Sequence, residues 1–96
     1  MRYEGQITII TDEFTTPRVL VDAEPHIMQR LRKIFDNSAN YFNRGKYTHK
    51  PIVFPMTLTA CRDLIWLMDR YSLECEPSFK VDGTTVVVID TNINAI

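Results

Sequence analysis

Apolar and polar positions alternate from Gln6 to Thr11 (QITIIT), with Ile7 and Ile9 on one face and Ile10 on the other, which predicts a strand. The polar stretch Asp12 to Pro17 reads as a loop. Arg18 to Val21 (RVLV) reads as a second strand, antiparallel to the first. The period then changes. Ile27, Leu31, Ile34 and Phe35 follow helical spacing, with Arg30 and Lys33 pointing away from the stripe. This helix is expected from Asp22, as cap, to about Asn37, with Pro25 tolerated in its first turn.

Residues 37 to 50 (NSANYFNRGKYTHK) follow neither period and read as an irregular segment. Pro51 to Phe54 is a short strand whose flanking prolines suggest a sheet edge. Thr57 or Thr59 caps a second helix that runs to about Tyr71. Cys61, Leu64, Ile65, Met68 and Tyr71 form its core stripe, which Trp66 and Leu67 widen. Ser78 to Val81, a turn at Asp82-Gly83, and Thr84 to Asp90 make a hairpin that sets Phe79 opposite Val86. The tail, TNINAI, reads as frayed. The order ββαβαββ predicts a two-layer α+β domain, with two helices on one face of an antiparallel or mixed sheet.

At 96 residues the chain has room for one core, so residues 1–96 are read as a single domain. No segment is apolar enough to span a membrane, and the start, MRYEGQITII, lacks the layout of a signal peptide. With two cysteines in no C-x-x-C arrangement, reduced thiols and a cytoplasmic location are expected. Net charge is −1, but its distribution is uneven. Residues 30 to 50 hold six basic side chains against Asp36 alone, while the flanks are acidic.

Three catalytic or ligand-binding readings fail, two on spacing and one on burial. Gly45-Lys46-Tyr47-Thr48 resembles half a phosphate-binding loop, yet Asn40 stands where the first glycine belongs and Tyr47 where Ser or Thr must hold magnesium. A Cys61–His49 nucleophile pair would need a thiolate on a buried helix face. Cys61, Cys75, His26 and His49 are zinc-binding types, but no pair has finger spacing. A non-enzymatic domain with no cofactor and no metal is the expectation. The segment YFNRGKYTHK is different in kind. It interleaves aromatic rings, which stack on bases, with cations, which neutralise phosphates. Phe42 is expected to fold back into the core. Trp66 is also given a core place, with Arg62 or Arg70 over its rim.

PHIMQRLRKIF (25 to 35) followed by RDLIWLMDRYSLE (62 to 74) resembles the N-terminal accessory domain of Snf-type, superfamily-two DNA helicases from bacteriophages and actinobacteria. The matching residues are Pro25, His26, Met28, Arg30, Leu31, Arg32 and Phe35, then Arg62, Asp63, Leu64, Trp66, Asp69, Arg70, Tyr71, Leu73 and Glu74. Ser72 departs, standing where the family has proline. The resemblance covers about residues 18–77. It implies a small α+β domain that helps engage DNA ahead of an ATPase core, whose motifs this chain does not contain. No catalytic residue carries over. Both a stand-alone phage product and a fragment of a longer helicase fit, and the strand TTVVVID with its short tail reads as a natural finish.

The resulting expectation is a DNA-binding or docking accessory domain. Arg30, Lys33, Tyr41, Arg44, Lys46, Tyr47, His49 and Lys50 are its expected contact surface, working mainly on phosphate. The alternative is a small phage-encoded protein-interaction module, an inhibitor of a host or defence enzyme. It would present Asp12, Glu13, Glu74 and Glu76 to a basic partner. Homodimerisation through a sheet edge is compatible with either.

Overall fold

A computed structural model describes residues 2–11, 17–36, 38–76 and 78–89. The expected loop at 12 to 17, apart from Pro17, and the expected tail fall outside them. The first two strands, β1 (Gly5–Ile10) and β2 (Arg18–Ala23), pair antiparallel with Ile7 opposite Val21 and Ile9 opposite Val19. Helix α1 (Pro25–Ile34), the two-residue β3 (Ala39–Asn40), β4 (Ile52–Pro55) and helix α2 (Leu58–Arg70) follow. Then come β5 (Leu73–Glu76), β6 (Ser78–Asp82) and β7 (Thr85–Ile89). The α+β class and the order ββαβαββ hold, with β3 and β5 added to the elements read from sequence.

Five strands form a mixed sheet in the order β3-β4-β2-β1-β5, in which only the β1–β5 pair is parallel. Strand alternation sorts its two faces. Ile7, Ile9, Val19, Val21, Ala23, Ile52 and Phe54 share one face and join Ile27, Met28 and Leu31 of α1 and Ala60, Cys61, Leu64 and Leu67 of α2 in a single core. Each such aliphatic side chain, fully buried, contributes about 1.5–3 kcal/mol. β4 is not the edge its prolines suggested, because β3 pairs outside it. Pro51 is buried, and its carbonyl accepts the Tyr41 N–H at 2.7 Å.

The start of α1 differs from expectation, while α2 starts at an expected cap, Thr57. Glu24, not Asp22, is the N-cap of α1; its carbonyl accepts the N–H groups of Ile27 and Met28. Asp22 is still in β2. The buried stripe of α1 is Ile27, Met28 and Leu31, while Ile34, expected inside, is exposed. The helix ends one residue before Phe35, which stacks on Phe54 at 4.2 Å between centroids. In α2 the Thr57 hydroxyl accepts the Ala60 N–H at 3.2 Å.

The β6–β7 hairpin forms a separate two-stranded sheet against α2. Its turn is Gly83-Thr84, one residue later than expected. Among the described residues Gly83 alone has positive φ (62°), as a hairpin turn with glycine at the first central position requires. Phe79 therefore faces Val88 rather than Val86, and Val86 faces Val81. Phe79 and Val86 remain diagonal neighbours on the face turned toward α2. Among the described residues, no helix is long and apolar enough to cross a membrane.

Candidate nucleic-acid interface

Alternation along β2 turns Val21 and Ala23 into the core and Asp22 to the opposite face. A carboxylate there is 8% exposed, so it must find donors or lose far more in desolvation than it gains. The donors come from the irregular segment. Asp22 Oδ2 accepts the Lys46 N–H at 2.6 Å, and Oδ1 accepts those of Tyr47 and Thr48 at 3.0 and 2.9 Å. Gly45 donates its N–H to the Thr48 carbonyl at 2.9 Å, closing the turn. A Cβ at Gly45 would lie 2.2–2.5 Å from the Asp22 carboxyl atoms, so only glycine admits this approach. The run that resembles a phosphate-binding loop thus directs its amides at an anion, and that anion is the protein's own.

Residues 41 to 50 therefore form a latched loop. Arg32 of α1 holds its far end, donating to the Lys50 carbonyl at 2.6 Å. Tyr41 and Tyr47 are half-buried, and Lys46 Nζ sits 5.6 Å from the Tyr47 ring centroid. Arg44, Lys46, His49 and Lys50 are exposed. Phe42 corrects the expectation of a core aromatic: its exposure is 101%. The backbone is fixed at Tyr41 by the bond to Pro51, and Tyr41 takes the half-buried place, leaving Phe42 to face outward.

Arg30 and Lys33 lie elsewhere. They line an open groove of about 810 Å³ between α1 and α2, with His26, Gln29, Asp63 and Trp66. Trp66 is 42% exposed, not a core residue. The side of α2 that meets the core is Ala60, Cys61, Leu64 and Leu67, and position 66 falls outside that arc. Two guanidiniums approach its ring, Arg70 at 4.9 Å and Arg30 at 5.1 Å from the centroid. The Arg62 contact weighed from sequence is replaced by Arg30 reaching across from the other helix. The eight expected contact residues thus separate into six on the latched loop and two in the groove. The residues that organise them, Asp22, Gly45, Arg32 and Trp66, were not among the eight. Only the four-residue spacing of Trp66 and Arg70 was visible as a signal.

Among the described residues, metal-ligating types converge at Glu4, Glu24 and His26, whose ligand atoms lie within 4.8 Å of one another. The imidazole turns Nε2 to Glu4 (3.7 Å) and Nδ1 to Glu24 (3.9 Å). Glu4 also accepts the Ser72 N–H at 3.0 Å. A ring that faces a different carboxylate with each nitrogen bridges two chain segments; it is not shaped as one arm of a chelate. Cys61 is a buried free thiol. Burial pushes the Cys61 thiol above its ordinary pKa. Burial, and then the neighbouring Cys61, pushes Cys75 up to about 11. Both are thus protonated at neutral pH and poor nucleophiles.

No protein-family model, curated protein or solved structure matches the chain.

Proposed function

We propose that this is a non-enzymatic DNA-binding accessory domain whose latched loop meets the nucleic acid. The observation that carries the reading is the complete exposure of Phe42 on a loop whose backbone is pinned by Asp22. An exposed phenyl ring has no role in the fold, and pinning the loop lowers the entropy lost when that ring docks. Arg44, Lys46 and Lys50 follow it, exposed, on the same loop and select for an anionic partner. Phosphates on the cations and a base on Phe42 or a tyrosine edge satisfy both features, with little reading of sequence. The resemblance of the α1 and α2 segments to helicase accessory domains points the same way. Fluorescence anisotropy with single-stranded, duplex and forked DNA tests it; binding that survives Arg44→Ala with Lys46→Ala argues against it.

One observation favours a protein partner instead. Val87 and Ile89 are exposed on β7, an apolar strip outside the basic loop. A stoichiometric partner captured from nuclease-treated host lysate, with no DNA binding by the pure domain, would favour this reading over the first.

A further inference from the structure

The groove between α1 and α2 is not absorbed by the loop reading. Trp66, Arg30, Lys33 and Gln29 line it, and Arg70 reaches the indole from beside it. Trp66 contributes little to the interior, since α2 buries Leu64 and Leu67 without it. A helix surface that needed only solubility would not place its sole tryptophan there. Indole is the best platform for a planar partner; Arg30 and Arg70 lie over it now, at 5.1 and 4.9 Å from the centroid, so a base stacks there by displacing a guanidinium from one face. Arg30, Arg70 and Lys33 lie on or beside the groove; Asp63 on its wall and Glu4 and Glu24 beside His26 are acidic. Three cations hemmed by three carboxylates cannot track a long duplex backbone. They suit one or two phosphates next to a stacked ring.

We propose that the groove is a stacking site for a single unpaired nucleobase, with Trp66 as the platform. Lys33, Arg30 and Arg70 meet the adjoining phosphates, and Gln29 and Asp63 offer a donor and an acceptor to the base edge. The base belongs to a single strand, because in a duplex its face is covered by its neighbours and the indole has nothing to stack on. The inference rests on the domain being a nucleic-acid binder, and it adds a second contact separate from the loop. His26 and Tyr71 also line the groove and are edge-on to each other at 5.7 Å.

Trp66 is the only tryptophan, so its emission reports this groove alone. Titrating the protein with an eight-nucleotide oligothymidylate should quench that emission saturably and reduce its quenching by acrylamide. Thymidine monophosphate should do the same at roughly tenfold or higher concentration, because it offers one phosphate to three cations. With labelled oligonucleotide, Trp66→Leu should weaken binding about tenfold or more, as the loss of one stacked base requires, while Trp66→Phe should retain most of it. Both variants should melt close to the parent, which separates lost stacking from lost fold. Unaltered affinity in Trp66→Leu, together with weakened binding in Phe42→Ala, overturns the groove and leaves the loop reading standing. Thymidine monophosphate binding as tightly as the oligonucleotide overturns the single-strand assignment. No oligonucleotide binding at low salt overturns the groove and the loop reading together.

Discussion

The carboxylate of Asp22 occupies the space that a side chain at Gly45 would fill. The two residues are far apart in sequence and belong to segments read separately, one as a helix cap and one as part of an irregular stretch. Together they give the basic loop a defined shape.

Removing the carboxylate should release the loop. Asp22→Ala leaves three N–H groups without their acceptor, and an expected loss of about 2–4 kcal/mol follows. Gly45→Ala forces a methyl group into the same carboxylate and should cost about 1–3 kcal/mol. Urea unfolding curves measure both, and midpoints equal to the parent's would show that the latch is not structural.

Phe42→Ala separates binding from stability. A fully exposed ring contributes nothing to the core, so the unfolding free energy should stay within about 0.5 kcal/mol. DNA affinity should fall by roughly fivefold or more if a base stacks on the ring. Equal affinity in the variant would remove Phe42 from the interface.

Alkaline pH should destabilise the fold through Cys75. Its thiol is raised from 9.0 to about 11, so between these values the unfolded chain ionises while the folded chain holds its proton. The proton-rich native state then loses stability as pH rises from about 9 toward 11, and below 9 the group has no effect. Comparing Cys75→Ala with the parent across that window measures the contribution. A parent curve with the same slope as the variant's would assign the alkaline loss to other groups.

Much of the fold was legible because alternation and helical spacing are local. β1, β2, α2 and the hairpin followed from apolar periodicity, and Thr57 announced its helix. β5 was missed because Leu73–Glu76 alternates two charges with two half-buried residues and pairs only with β1, far away in sequence. The hairpin turn slipped by one residue because Asp82-Gly83 and Gly83-Thr84 both place glycine where positive φ is needed. Asp22 was misread because an acid three residues before Pro25 has the local chemistry of a cap, whereas its partners lie more than twenty residues on. Trp66 was given to the core as part of a widened apolar stripe on α2, and Phe42 as a loop aromatic that folds back. In the structure the aliphatic residues of α2 and the Phe35–Phe54 stack fill that space. The basic character of the loop was visible in composition; its shape and its separation from Arg30 and Lys33 depended on tertiary contacts.

The most direct test of the central claim is the salt dependence of binding by anisotropy, for the parent and for Arg44→Ala with Lys46→Ala. If the three loop cations, Arg44, Lys46 and Lys50, each neutralise a phosphate, log affinity should fall against log salt with a slope of about −2 on single strands. Removing two of the three should bring the slope to about −0.7 without lowering the melting temperature. A slope that the double variant leaves unchanged, or no binding at low salt, would contradict the account.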